Sequence, residues 1–176
     1  MMAVTPIINE FMASNDNTLD DVDGHSSDWI ELYNPGDTAL NLDGYYLTND
    51  PLDPDRWRLP AVSINAGGYL VIFASEKNRI NPAQELHTDF LLGANDGYLA
   101  LVGPDGTSIL SEYTYPTQLT DVSYGQMVQS QITKLVNTNA PVKWLIPPNG
   151  NLGTGWTTRD FNDGSWTTGS TGWAMT

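Results

Sequence analysis

The sequence predicts an all-β fold, a sandwich or a barrel, from three observations. Helix signals are nearly absent, short apolar or alternating runs follow one another closely, and turn chemistry separates them. The runs are "PIINEFMAS", "DWIELYN", "ALNLDGYYLTN", "RWRLPAVSI", "GYLVIFAS", "GYLALVG" and "TSILSEYTY".

Between the first two runs lies "NDNTLDDVDGHS", residues 15–26, with aspartates at 16, 20, 21 and 23. In "DWIELYN" (28–34), alternation places Ile30 and Leu32 toward a core and Trp29, Glu31 and Tyr33 on the other face. "NAGG" at 65–68 is a turn leading into "YLVIFA". There Leu70 and Ile72 oppose Tyr69, Val71 and Phe73, so both faces are apolar and the strand should be central and covered on both sides. "SEKNRINPAQ" (75–84) reads as a polar loop, because Pro82 and two asparagines interrupt any helix. "YLALV" places Leu99 and Leu101 inward. "GPDG" at 103–106 closes a hairpin onto "TSILSEY", with Gly106 free to take positive φ.

Composition narrows the function classes. The 176 residues carry 21 acidic and 7 basic side chains, a net charge of −14. Duplex nucleic acid and anionic membranes are bound through Lys and Arg, which are scarce here, so neither is an expected partner. The absence of cysteine removes disulfides, thiolate nucleophiles and zinc–thiolate sites. No segment approaches the roughly 20 apolar residues needed to span a bilayer, so membrane insertion is not expected. The opening "MMAVTPIINEF" has no signal-peptide pattern.

Near residue 129 the composition changes. Strand alternation fades, and "WTTRDFNDGSWTTGSTGWAMT" is rich in Gly, Thr and Trp. The expected organisation is a domain over 5–128, a linker over 129–150, and the start of a truncated second β module over 151–176. The chain is thus expected to be a piece of a longer protein. Trp156, Trp166 and Trp173 are read as core anchors of that module, or as an arm that self-associates.

In order along the chain, "IINEFMA" (7–13), "DWIELYN" (28–34), "LNLDGYYLT" (40–48), "WRLP" (57–60), "INAGGYLVIFAS" (64–75), "LHTDFLL" (86–92) and "YLALVGPDGTSIL" (98–110) resemble the lamin tail domain. The resemblance covers roughly residues 5–125 and looks most like the bacterial branch. It implies an immunoglobulin-like β-sandwich that serves as a non-catalytic accessory module of large secreted or surface proteins. An extracellular or cell-surface location follows as an expectation, as does a protein or glycan partner. The closing "W..RDFNDGSWTTGSTG" separately resembles the opening of jelly-roll modules on secreted carbohydrate-active proteins.

The acidic loop has two readings. As a calcium site it fails the EF-hand pattern: with Gly24 at position 6, Asp23 and Asp21 fall at 5 and 3, but Leu19 falls at 1 and Ile30 at 12. A structural calcium of another kind would draw on Asp16, Asp20, Asp21, Asp23 and Asp28. In the bland reading, Asp and Asn favour turns and the acids stay solvated. Glu10 and Glu31 are read as outward polar residues rather than a glycosidase pair. His25 and His87 lack a nucleophile in workable geometry, and "GHSSD" lacks the strand–elbow–helix context of a serine hydrolase. Catalysis is therefore not expected. A carbohydrate-binding surface is the alternative function, with Tyr46 and Trp57, beside Tyr45, as its aromatic platform.

Overall fold

A computed structural model describes residues 5–126 and 139–171. The chain divides into two compact units, residues 1–127 and 128–176. Trp173 and residues 129–138 of the expected linker (129–150) lie outside the described residues.

The first unit runs β1 (Ile7–Met12), β2 (Asp28–Tyr33), β3 (Leu40–Asn41), β4 (Tyr46–Thr48), β5 (Trp57–Arg58), β6 (Ser63–Ile64), β7 (Tyr69–Ala74), β8 (Leu86–His87), β9 (Asp96–Val102), β10 (Ile109–Pro116) and β11 (Tyr124–Gly125). One sheet has the order β11-β1-β2-β7-β8 and the other β10-β9-β4-β5, with β3–β6 as a small ribbon. Pairing is antiparallel except between β7 and β8.

The core lies between these two sheets. Ile8, Phe11, Ile30, Leu32 and Ile72 from the first meet Leu47, Trp57, Leu99, Leu101 and Tyr115 from the second. Alternation did this: Ile30 and Leu32 are fully buried as expected, and so are Leu99 and Leu101. The segment "ALNLDGYYLTN" breaks into β3 and β4 at Gly44, where φ is +86°. "RWRLPAVSI" breaks into β5 and β6 around Pro60. Gly67 and Gly106 take the positive φ their turns require. Residues 75–84 form no helix.

β7 lies between β2 and β8; its inner face is packed, but its outer face is covered only toward Phe73 and is left exposed at Tyr69, so the expected cover on both sides holds for one end of the strand. On its outer face Phe73 joins Met12 and Trp29 in a second, smaller apolar cluster, with Val71 against it. In β1 the register with β2 shifts between Ile8 and Glu10, which makes Asn9 a bulge. Its carbonyl accepts from Gln126 N at 2.9 Å and thereby holds the two-residue β11.

In the second unit, β12 (Pro141–Trp144) pairs with β13 (Thr167–Ser170) as a two-stranded antiparallel ribbon. Two short 3-10 turns, Gly150–Leu152 and Gly155–Thr157, lie between them in sequence. None of residues 139–151 and 153–171 is buried.

Candidate functional site

The acidic loop leaves β1 and is organised by its own side chains. Asn15 is buried; its Nδ2 donates to the carbonyls of Leu19 (2.6 Å) and Ser27 (2.8 Å) and so ties the loop's two ends together. The Thr18 hydroxyl donates to Asn15 Oδ1 at 2.7 Å and lies 3.2 Å from Met12 Sδ. That contact draws the loop over the outer cluster of Met12, Trp29 and Phe73. At Gly24, with φ +77°, the chain turns back and its N–H donates to Asp21 O.

Asp21 is the centre of the loop. Its side chain has no exposed surface. Oδ1 accepts from the backbone N–H groups of Asp23 and His25, and Oδ2 accepts from Ser27 Oγ at 2.9 Å and Lys77 Nζ at 2.5 Å. Lys77 Nζ also donates to Asp23 Oδ2 at 2.7 Å, and His25 Nδ1 lies 3.3 Å from it. Arg79 Nη2 reaches the same Asp23 oxygen at 2.6 Å. Val22 N donates to Glu85 Oε2 at 2.6 Å and clamps the loop tip to the segment before β8.

Protonation follows from this wiring. Burial pushes the Asp21 carboxyl up, but the bonds from Lys77, the His25 N–H, Ser27 and the Asp23 N–H outweigh it and hold the group well below the usual carboxylate range. Lys77 and Arg79 likewise lower Asp23. Burial works against the Lys77 charge, yet Asp21 and Asp23 keep its ammonium above the ordinary range. Asp21, Asp23 and His25 bring ligand atoms within 4.8 Å of one another, close enough to share a metal ion. The charge seated among them is the Lys77 ammonium.

The other expected ligands do not join this group. Asp16 and Asn17 turn their backbone N–H groups to Asp121 Oδ1, and Asp20 Oδ1 accepts from Ser26 Oγ. Asp28 sits apart at the start of β2. Burial pushes its carboxyl up to about 6 against backbone N–H bonds from Asn15 and Leu92. The reading of these acids as solvated is corrected at Asp21, which is enclosed, and at Asp28, which is half-buried.

The aromatic platform is also corrected. Trp57 is 2 % exposed and packs in the core, with Nε1 donating to Asn78 Oδ1 at 3.1 Å. Tyr46 pairs with Arg58 and Leu47 pairs with Trp57, so Tyr46 and Trp57 point to opposite faces of their sheet. Tyr45 packs against the core. The letters of "GHSSD" form no triad: Ser26 and Ser27 donate to Asp20 and Asp21. His87 is wholly buried, bonded through Nδ1 to Ser75 Oγ at 2.8 Å and stacked on Phe73. In the second unit Trp144 and Trp156 are about half exposed beside Trp166.

Sequence reasoning missed Lys77 and Asn34. Asn34 is buried after β2, and its Nδ2 donates to the carbonyls of Thr38, Ile64 and Asn65. For Lys77 the available signal was the concentration of basic residues: Lys77 and Arg79 lie two apart in an otherwise acidic domain.

Two facing sheets around one apolar core, with no helix among the described residues of the first unit, define an immunoglobulin-like β-sandwich. The chain belongs to the lamin tail domain family, whose model matches residues 3–117. That family is one of non-catalytic, protein-interaction immunoglobulin-like domains. No match is found among curated proteins. Among the described residues no helix is long and apolar enough to cross a membrane.

Proposed function

We propose that the chain is a non-catalytic interaction or spacer domain of a larger secreted or cell-surface bacterial protein. The observation that carries this reading is the closed ion network. Asp21 and Asp23 are bound by Lys77 and Arg79, so the acidic loop works as a pinned cover over the first sheet. A catalytic carboxylate would need room for a substrate beside it, and Asp21 has none. The secreted setting is supported by the likeness to bacterial lamin tail modules and by the jelly-roll-like "W..RDFNDGSWTTG" stretch. The exposed Trp144 and Trp156 extend the proposal to self-association through the C-terminal arm, which sedimentation velocity measures.

The test places a photo-cross-linking residue at exposed positions of residues 5–126 in the native host, alongside a glycan array. Cross-links to a defined protein and a silent array support the proposal. A glycan signal abolished by Tyr46→Ala overturns it, and the absence of any protein cross-link overturns the interaction reading and leaves the spacer.

A further inference from the structure

The acidic loop covers only one end of the first sheet's outer face. Cross-strand register arranges that face in rows: Met12, Trp29 and Phe73 under the loop, then Glu10, Glu31 and Val71, then Ile7, Tyr33 and Tyr69. The second and third rows are partly or well exposed, and Tyr69 reaches 56 %.

Glu10 and Glu31 are direct cross-strand partners. Like charges in that position repel. Asn9 Nδ2 donates to Glu31 Oε1 and Ser123 Oγ donates to Glu10 Oε2, each at 2.7 Å, but both donors are neutral. The basic residues of 5–126 are Arg56, Arg58, Lys77 and Arg79, and each is paired elsewhere, with Asp89, Asp43, Asp21 and Asp23. Among the described residues of this unit, no cation is left for the two glutamates. Beside them the Tyr33 and Tyr69 rings stack with centroids 4.7 Å apart.

We infer that this uncovered part of the face docks a basic, extended segment of a protein partner. Its Lys or Arg side chains pair with Glu10 and Glu31 while the segment lies along Tyr33 and Tyr69. The inference rests on the interaction-domain reading and names the chemistry of the partner. A cation between the opposed carboxylates relieves a repulsion that the fold leaves in place. Its aliphatic stem packs on the tyrosine rings, and its charge is drawn to their faces. Tyrosine supplies large contact area at low conformational cost, which suits an interface. The acidity of the domain steers a basic partner toward it.

The probe is a fluorescein-labelled peptide of alternating Lys and Thr, with an alternating Glu and Thr peptide as control. Anisotropy and 15N–1H spectra are recorded on the full chain. The basic peptide is expected to bind, more weakly as salt rises, with shifts confined to β1, β2 and β7. Glu10→Gln with Glu31→Gln should weaken it by about tenfold or more, and Tyr69→Ala by roughly severalfold. Asp53→Asn with Asp55→Asn, an equal charge change on an exposed loop, should leave affinity within about twofold. Melting curves of every variant report folding separately. No binding, equal loss in both double variants, or shifts centred on residues 16–25 overturns the inference. A silent peptide with protein cross-links on other faces sinks this surface but not the interaction-domain reading. A silent peptide with no protein cross-links sinks both.

Discussion

Lys77 and Asp21 lie 56 positions apart in the chain, yet Lys77 supplies the charge that Asp21 needs in order to be buried. Removing it by Lys77→Met leaves a carboxylate without its cation. Thermal or urea melts should show a loss of about 2 kcal/mol, less than a fully buried pair would lose because Lys77 keeps some exposure. The pH signature has a definite sign. The folded Asp21 is depressed below 3.8, so its stabilisation is present above that pH and is lost as pH falls further. Lys77→Met should flatten this acid limb in melts between pH 4 and 2. The ammonium also predicts that a chelator leaves the melting temperature unchanged. A drop in EDTA, restored by calcium, would show a metal ion displacing Lys77. Asp28 carries the opposite sign. Its carboxyl is raised to about 6, so its favourable term is complete below 3.8 and fades as pH rises through about 6. Stability should fall across that window by roughly 1–2 kcal/mol, less than the full shift implies because the carboxyl keeps some solvent contact, and Asp28→Asn should abolish that component in urea titrations run at successive pH values.

At the scale of the strand, two glycines show where backbone or ring approach excludes a side chain. A Cβ on Gly97 would lie 2.4 Å from the Tyr115 hydroxyl, and Tyr115 is its cross-strand partner with 2 % exposure. Gly97→Ala should therefore cost about 1–3 kcal/mol in chemical denaturation. Adding Tyr115→Leu should recover part of that loss, because the shorter side chain vacates the contact. A Cβ on Gly125 would meet Asn9 O at 2.2 Å, so β11 docks against the bulge only as glycine. The longer strands were readable because an alternating run orients itself locally. β8 and β11, at two residues each, were not among the predicted runs. Leu86 and His87 pair because β7 and the Arg79 backbone flank them, and Tyr124 and Gly125 because Asn9 bulges. Asn9 lies at the far end of the domain's sequence from β11, and β8 meets β7 only because the irregular loop between them folds back in parallel register.

For the molecule as a whole, the buried side chains among the described residues all belong to the first unit. A chain ending at residue 127 should therefore keep the full chain's main melting transition within a few degrees, as circular dichroism would show. A two-stranded ribbon without a buried core adds little cooperative stability. The acidic excess, the lack of cysteine, the all-β class, and the inward rows at Ile30, Leu32, Leu99 and Leu101 followed from composition and period-two alternation, whereas the choice of a sandwich over a barrel came from the resemblance to the lamin tail domain. These are local properties, and each residue's neighbours suffice to specify them. Which outward row would be covered was a different matter. Whether Asp21 is solvated or enclosed depends on a lysine from another loop, and whether Trp57 is a platform or core depends on the sheet it faces. Such pairings are set by the packing of distant segments, whose free energy is gained only when the two sheets and the loop close together.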